Sequence, residues 1–153
     1  MRKIIIFLFL ICNLYSDNII YYVEKYSKYY NIDSRIVLSL IRVESMGRGK
    51  TSHKGAVGEM QVTIQAYNQY YNDISLKTTN TLIGKTYLRI PDKTKKWLLT
   101  NRERNIRIGC YYLRWCLERS GGNYILALQY YICGNADKPA WQYLDNILMG
   151  VIK

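Results

Sequence analysis

The run from Ser34 to Met46 constrains this chain more than any other stretch. Ile36, Val37, Leu40, Ile41 and Val43 recur at helical spacing, Asp33 or Ser34 offers a cap, and Gly47 suits a left-handed stop. A helix patterned this way must bury one side against other elements. Glu44 interrupts the pattern. It follows Leu40 by four residues, Ile41 by three and Val37 by seven, so it projects from the apolar side in the last helical turn.

Partial desolvation and the negative end of the helix dipole both disfavour a charged carboxyl there, so both raise its pKa. An acid kept protonated near neutral pH suits proton donation to a leaving oxygen, as glycosidic bond cleavage requires. The helix alone is equally consistent with an ordinary end-of-helix glutamate, solvated or paired with Arg42 or Arg48.

The 153 residues suffice for one domain with a single core. Residues 1–16 read as a secretory signal: Arg2 and Lys3 precede an apolar run from Ile4 to Ile11 that is short for a permanent membrane span. The expected division is therefore 1–16 signal peptide and 17–153 mature domain, exported to the periplasm or cell envelope. Cys12 offers lipid anchoring as the alternative, against which the bulky Ile11 counts. Removing the signal leaves 20 basic against 11 acidic side chains, a net of +9. A basic exported chain points to anionic envelope polymers, and it carries no recognisable nucleic-acid reading element.

Sixteen tyrosines against two phenylalanines suit a polar-aromatic groove or simply reflect composition. Beyond the signal, Cys110, Cys116 and Cys133 are an odd number for an oxidising compartment, and their pairing stays open against a reading as small buried hydrophobes. No spacing suggests a metal site.

Helices are expected at 17–31, 34–46, 59–66, 100–119 and 124–133, the fourth opened by a Thr100–Glu103 capping box and the fifth capped by Asn123. Pro139 is expected to open a last helix ending at Ile147 or Leu148. Four glycines between Gly47 and Gly58 mark a loop that allows close backbone approach. Residues 67–100 are the least legible; Thr86 to Ile90 alternates like a short strand, Pro91-Asp92 marks a turn, and the segment has the length of a functional loop or lid.

Four sets of residues fall in register: Glu44-Ser45; Ser52, Gly55-Ala56, Gly58 and Met60-Gln61; Asn105-Ile106, Gly109 and Tyr112-Leu113; and Ala127-Leu128, Tyr131 and Gly134. Their order and spacing resemble the catalytic domain of soluble lytic transglycosylases, which shares a lysozyme-like fold with goose-type lysozyme. The resemblance runs from about Tyr22 to Leu148. It implies a mainly α, lysozyme-like single domain with a glycine-rich loop and a short β-like insertion lining the cleft. It further implies Glu44 as the catalytic acid, Ser45 as a supporting hydroxyl, and Tyr131 as the tyrosine facing the acid. Ser52, Gly55, Ala56, Met60 and Gln61 would frame the sugar groove, although Ser52 and Gln61 could equally be local caps.

The implied reaction cleaves the β-1,4 bond between N-acetylmuramic acid and N-acetylglucosamine and leaves a 1,6-anhydro end, with no cofactor and no metal. The implied partner is the peptidoglycan strand, met by a monomer; service to a secretion or other envelope-spanning assembly is compatible with the size. Ile132 stands where the family usually has an asparagine, Cys133 where a small residue is common, Ile64 where a proline is frequent, and Glu59 in place of an apolar residue. Glu59 raises a rival, a hydrolytic muramidase with a second carboxylate activating water, unless it merely complements a helix dipole. The departures at Ile132 and Cys133 raise another, a non-catalytic wall-binding factor.

Overall fold

A computed structural model describes residues 18–79, 90–134 and 140–152. The helices are α1 (18–30), α2 (Ser34–Ser45), α3 (Ile64–Thr79), α4 (Asp92–Thr100), α5 (Arg102–Arg119), α6 (Tyr124–Cys133) and α7 (Trp141–Ile152). Extended structure among the described residues is confined to two antiparallel bridges in the glycine-rich loop, Thr51 with Val57 and Val57 with Val62. The fold is mainly α, as expected. The signal segment, the strand-like stretch from Thr86 to Arg89 and Pro139 lie outside the described residues. Among those described, no helix is long and apolar enough to cross a membrane.

Helix α5 is the hub. Ile106, Ile108, Cys110, Leu113 and Cys116 are completely buried, and these positions span more than half of the helix circumference, so more than one neighbour must cover it. Helices α3, α4 and α6 supply that cover, while α2 packs chiefly on α7. The sixteen tyrosines owe much of their number to this packing. Tyr26, Tyr30, Tyr70, Tyr71 and Tyr111 join α1, α3 and α5 through edge-on and stacked ring contacts, with centroids 5.2–6.4 Å apart.

Several boundaries differ from the sequence expectation, each for a local reason. Helix α2 is capped by Asp33, whose carboxylate accepts from Arg35 N at 2.9 Å; Gly47 is left-handed as expected (φ 72°), but the left-handed run already begins at Met46 (φ 54°). The expected helix at 59–66 begins only at Ile64, because Val57 and Val62 exchange both backbone hydrogen bonds and hold Glu59, Met60 and Gln61 in a turn. Thr63 is the cap, its hydroxyl accepting from Ala66 N at 3.3 Å. Thr100 bonds back to Lys96 and Trp97 within α4, a helix the sequence did not disclose. The cap of α5 is instead Asn101, which accepts from Arg104 N at 3.0 Å. Helix α7 runs past Leu148 to Ile152.

Candidate active site

Two interhelix contacts bring the acid into a cleft. Ser39 donates its hydroxyl to Ile147 O at 2.5 Å, and a Cβ on Gly150 would sit 2.1 Å from Ser39 Oγ, so α2 and α7 touch at that level. Tyr143 lies seven residues before Gly150 and four before Ile147, on the same side of α7, and Glu44 lies five residues beyond Ser39. With the two helices antiparallel, the Tyr143 hydroxyl comes up to the Glu44 carboxylate. Burial pushes the Glu44 pKa up; the Tyr143 hydroxyl and the charge of Lys50 pull the other way with less effect.

Glu44 opens on a cleft of about 580 Å³. The glycine-rich loop contributes Ser52, Lys54, Gly55, Ala56 and Gln61, and Thr63, Ile64 and Gln65 continue the wall into α3. Ile90 and Lys95 close one side; Tyr131, Ile132 and Tyr143 close the other. Glu44 is the one carboxylate among the described residues lining the cleft.

The loop is held by its own polar groups and by one side chain from the hub helix. Ser52 Oγ accepts from Ala56 N at 3.0 Å, and Gln61 Nε2 donates to Lys50 O at 3.0 Å and Gly58 O at 2.8 Å. Asn105, fully buried on α5, donates to Val57 O at 2.8 Å and accepts from Met60 N at 3.0 Å. Gly58 is required twice over: its φ is 82°, and a Cβ there would lie 2.0 Å from Asn105 Nδ2.

The remaining anticipated residues take up different posts. Met60 does not line the cleft; its side chain is buried against Gly109, where a Cβ would come within 2.5 Å of Met60 Sδ, and its carbonyl accepts from the Tyr131 hydroxyl at 2.8 Å. Tyr131 thus reaches the cleft wall with its hydroxyl committed to the loop, and burial drives its pKa well up. The hydroxyl that acts most on the Glu44 carboxyl is that of Tyr143, which the sequence did not single out. Ser45 is 1% exposed and away from the cleft; its hydroxyl donates to Glu59 O at 2.8 Å and accepts from Gly47 N at 3.1 Å. Glu59 is neither in the first turn of a helix nor on the cleft. It is 1% exposed, and its Oε1 accepts from Arg102 Nε at 2.8 Å. Cys110, Cys116 and Cys133 are free thiols, the first two buried and the third exposed.

A sequence model described as the transglycosylase SLT domain matches residues 21–147. The chain belongs to this family. The SLT domain also resembles the X-ray structure of the lytic transglycosylase Slt from Pseudomonas aeruginosa, in an inactive glutamate-to-glutamine mutant. The TM-score is 0.60 and the identity 21%; the match covers 85% of this chain and 22% of that chain, so this chain spans under a quarter of that protein's length. At this identity the likeness establishes the shared fold. No curated protein matches the chain.

Proposed function

We propose that this SLT domain is a peptidoglycan lytic transglycosylase that cleaves the β-1,4 bond between N-acetylmuramic acid and N-acetylglucosamine. The observation that carries the reading is Glu44: half-buried, with the Tyr143 hydroxyl beside it, its pKa raised by desolvation, and facing a cleft whose described lining holds no second carboxylate. Glu44 donates its proton to the glycosidic oxygen as the C1–O bond breaks. The resulting carboxylate takes the proton of the muramic C6 hydroxyl, whose oxygen bonds to C1 and closes the 1,6-anhydro ring. No water is consumed, and the acid returns to its protonated form.

Tyr143 supports the carboxylate between the two proton transfers, and Ser45 and Tyr131 act as positioning residues by fixing the loop. Ser52, Gly55, Ala56 and Gln61 frame the groove, with Met60 contributing through its backbone. Lys54 and Lys95 on the cleft wall suit a strand bearing peptide carboxylates. The reading places the protein in the cell envelope, beyond a secretory signal at residues 1–16, and makes local opening of the wall for an envelope-spanning assembly a compatible role.

The hydrolytic alternative through Glu59 loses its support, because that carboxylate is buried against Arg102 and away from the cleft. Mass analysis of products from purified sacculi tests the assignment. The expected products carry anhydro ends, one water lighter than reducing ends. Glu44→Gln should lower fragment release by roughly a hundred- to ten-thousand-fold with the fold intact. Reducing ends, or undiminished release by the variant, would overturn the reading.

A further inference from the structure

The recess between α1, α3 and α5 has no part in the chemistry above. It holds about 700 Å³ and, among the described residues, shares no lining residue with the cleft. Five rings line it, those of Tyr29, Tyr30, Tyr70, Tyr111 and Trp115, with Arg107 and Arg114 among them. Its acids are already engaged. Glu118 accepts from Arg114 Nε at 2.8 Å, and Asp73 accepts from the Tyr111 hydroxyl and from Gln69 Nε2, the latter at 3.0 Å. Glu103, one turn before Arg107 on α5, accepts from Lys25 Nζ at 2.6 Å and from the Tyr26 hydroxyl at 2.7 Å. Arg107 is left over. No carboxylate pairs with it among the described residues, and its Nε is buried without a hydrogen-bond partner. Its guanidinium lies 5.9 Å from the ring centroids of both Tyr26 and Tyr70, which steady the cation without neutralising it.

We propose that this recess is a docking site for a partner protein, which inserts a segment carrying an aspartate or glutamate beside a large apolar side chain. The acid pairs with Arg107, whose planar fork matches a carboxylate, and the apolar side chain packs on the rings. A partly buried cation without a counter-ion costs stability, so the arrangement is explained once an incoming acid completes it. A free inorganic anion would leave the aromatic walls unused. Tyrosine, tryptophan and arginine are the residues that dominate the buried centres of protein interfaces, and Tyr29 offers here a ring that is 71% exposed. The formal charge of +11 favours an acidic partner in the same sense. An occupant of the recess leaves the cleft open, as a recruiting partner must, and the proposal does not depend on which reaction the cleft performs.

The test selects binders to the intact protein from a displayed library of random peptides, and titrates the enriched peptides by calorimetry. These should carry an aspartate or glutamate within a few positions of Phe, Trp or Leu. Converting that acid to its amide in the peptide, or Arg107→Gln in the protein, should weaken binding roughly ten- to a hundred-fold. Tyr29→Ala, at an exposed position, should weaken it as well while leaving thermal unfolding unchanged, so the proposal is decided even if Arg107→Gln folds poorly. Cleavage of sacculi by the Tyr29→Ala protein should match that of the parent. The proposal is overturned if no peptide is enriched, if the enriched peptides lack an acid, or if their affinity ignores both protein substitutions. It is equally overturned if peptide-bearing fragments released from sacculi compete for the recess at least as well as the selected peptides, which would make it a wall-binding site.

Discussion

The helix alone made Glu44 conspicuous, as a carboxylate on the apolar side near a helix end, but left its role open; the motifs that follow it in register gave it one. Tyr143 stood out in neither way. Its meeting with Glu44 depends on the close contact of Ser39 with Gly150, more than a hundred residues apart, and no local pattern encodes that register. The available hint was a glycine inside an otherwise apolar last helix. Tyr143→Phe removes a hydroxyl that favours the ionised acid, so the Glu44 pKa should rise further. The alkaline limb of the activity profile should therefore move to higher pH, and turnover should fall by roughly ten-fold; a limb that stays in place would uncouple the two groups.

Burial also ties the acid to stability. The folded-state pKa of Glu44 lies above its ordinary value of 4.5, so the stability linked to its protonated form is complete below about pH 4.5 and is lost as pH rises through the raised value. Glu44→Gln cannot ionise. Calorimetry should find it melting above the parent at neutral pH, with the gap closing as pH falls below the ordinary value.

At the scale of elements, the strongly periodic helices α1, α2, α5 and α6 could be read from sequence, since each shows a clear apolar side or a capping residue. Helix α3 could not be followed beyond Ala66, because its tyrosines, asparagines and threonines are indifferent helix formers that tertiary packing holds in place. The loop deceived in a more specific way. Met60-Gln61-Val62 has an apolar pattern that suits a helix start, but the Val57–Val62 bridge and Asn105 take up its backbone groups first. Asn105→Ala should leave the Val57 carbonyl and the Met60 N–H buried without this partner. A loss of about 2–4 kcal/mol in urea unfolding is expected, together with reduced cleavage of sacculi.

Across the whole molecule, composition left the role of the tyrosines open, and packing accounts for many of them. Tyr131 and Tyr143 are the two tyrosines among the cleft-lining residues described, while many others cement the helices. On the proposed reading, the formal charge of +11, with Lys54 and Lys95 on the cleft wall, serves attraction to the wall polymer. Raising ionic strength from 0.1 M to 1 M shortens the screening length from about 10 Å to about 3 Å. Binding of the Glu44→Gln protein to intact sacculi should weaken several-fold over that range, as a sedimentation assay would report. Binding of uncharged N-acetylglucosamine oligomers should barely change.

The serine that follows the acid has one more consequence. Because Ser45 bonds the backbone of Glu59 and Gly47 at once, Glu44, the proposed proton donor, and the wall of the cleft share an anchor one peptide bond away from Glu44. Replacing residues 47–62 with the corresponding loop of a relative would therefore carry a new setting for the acid along with a new groove shape. Reactivity and selectivity in this chain are inherited together, and a loop exchange that altered one while leaving the other fixed would have to rebuild that anchor first.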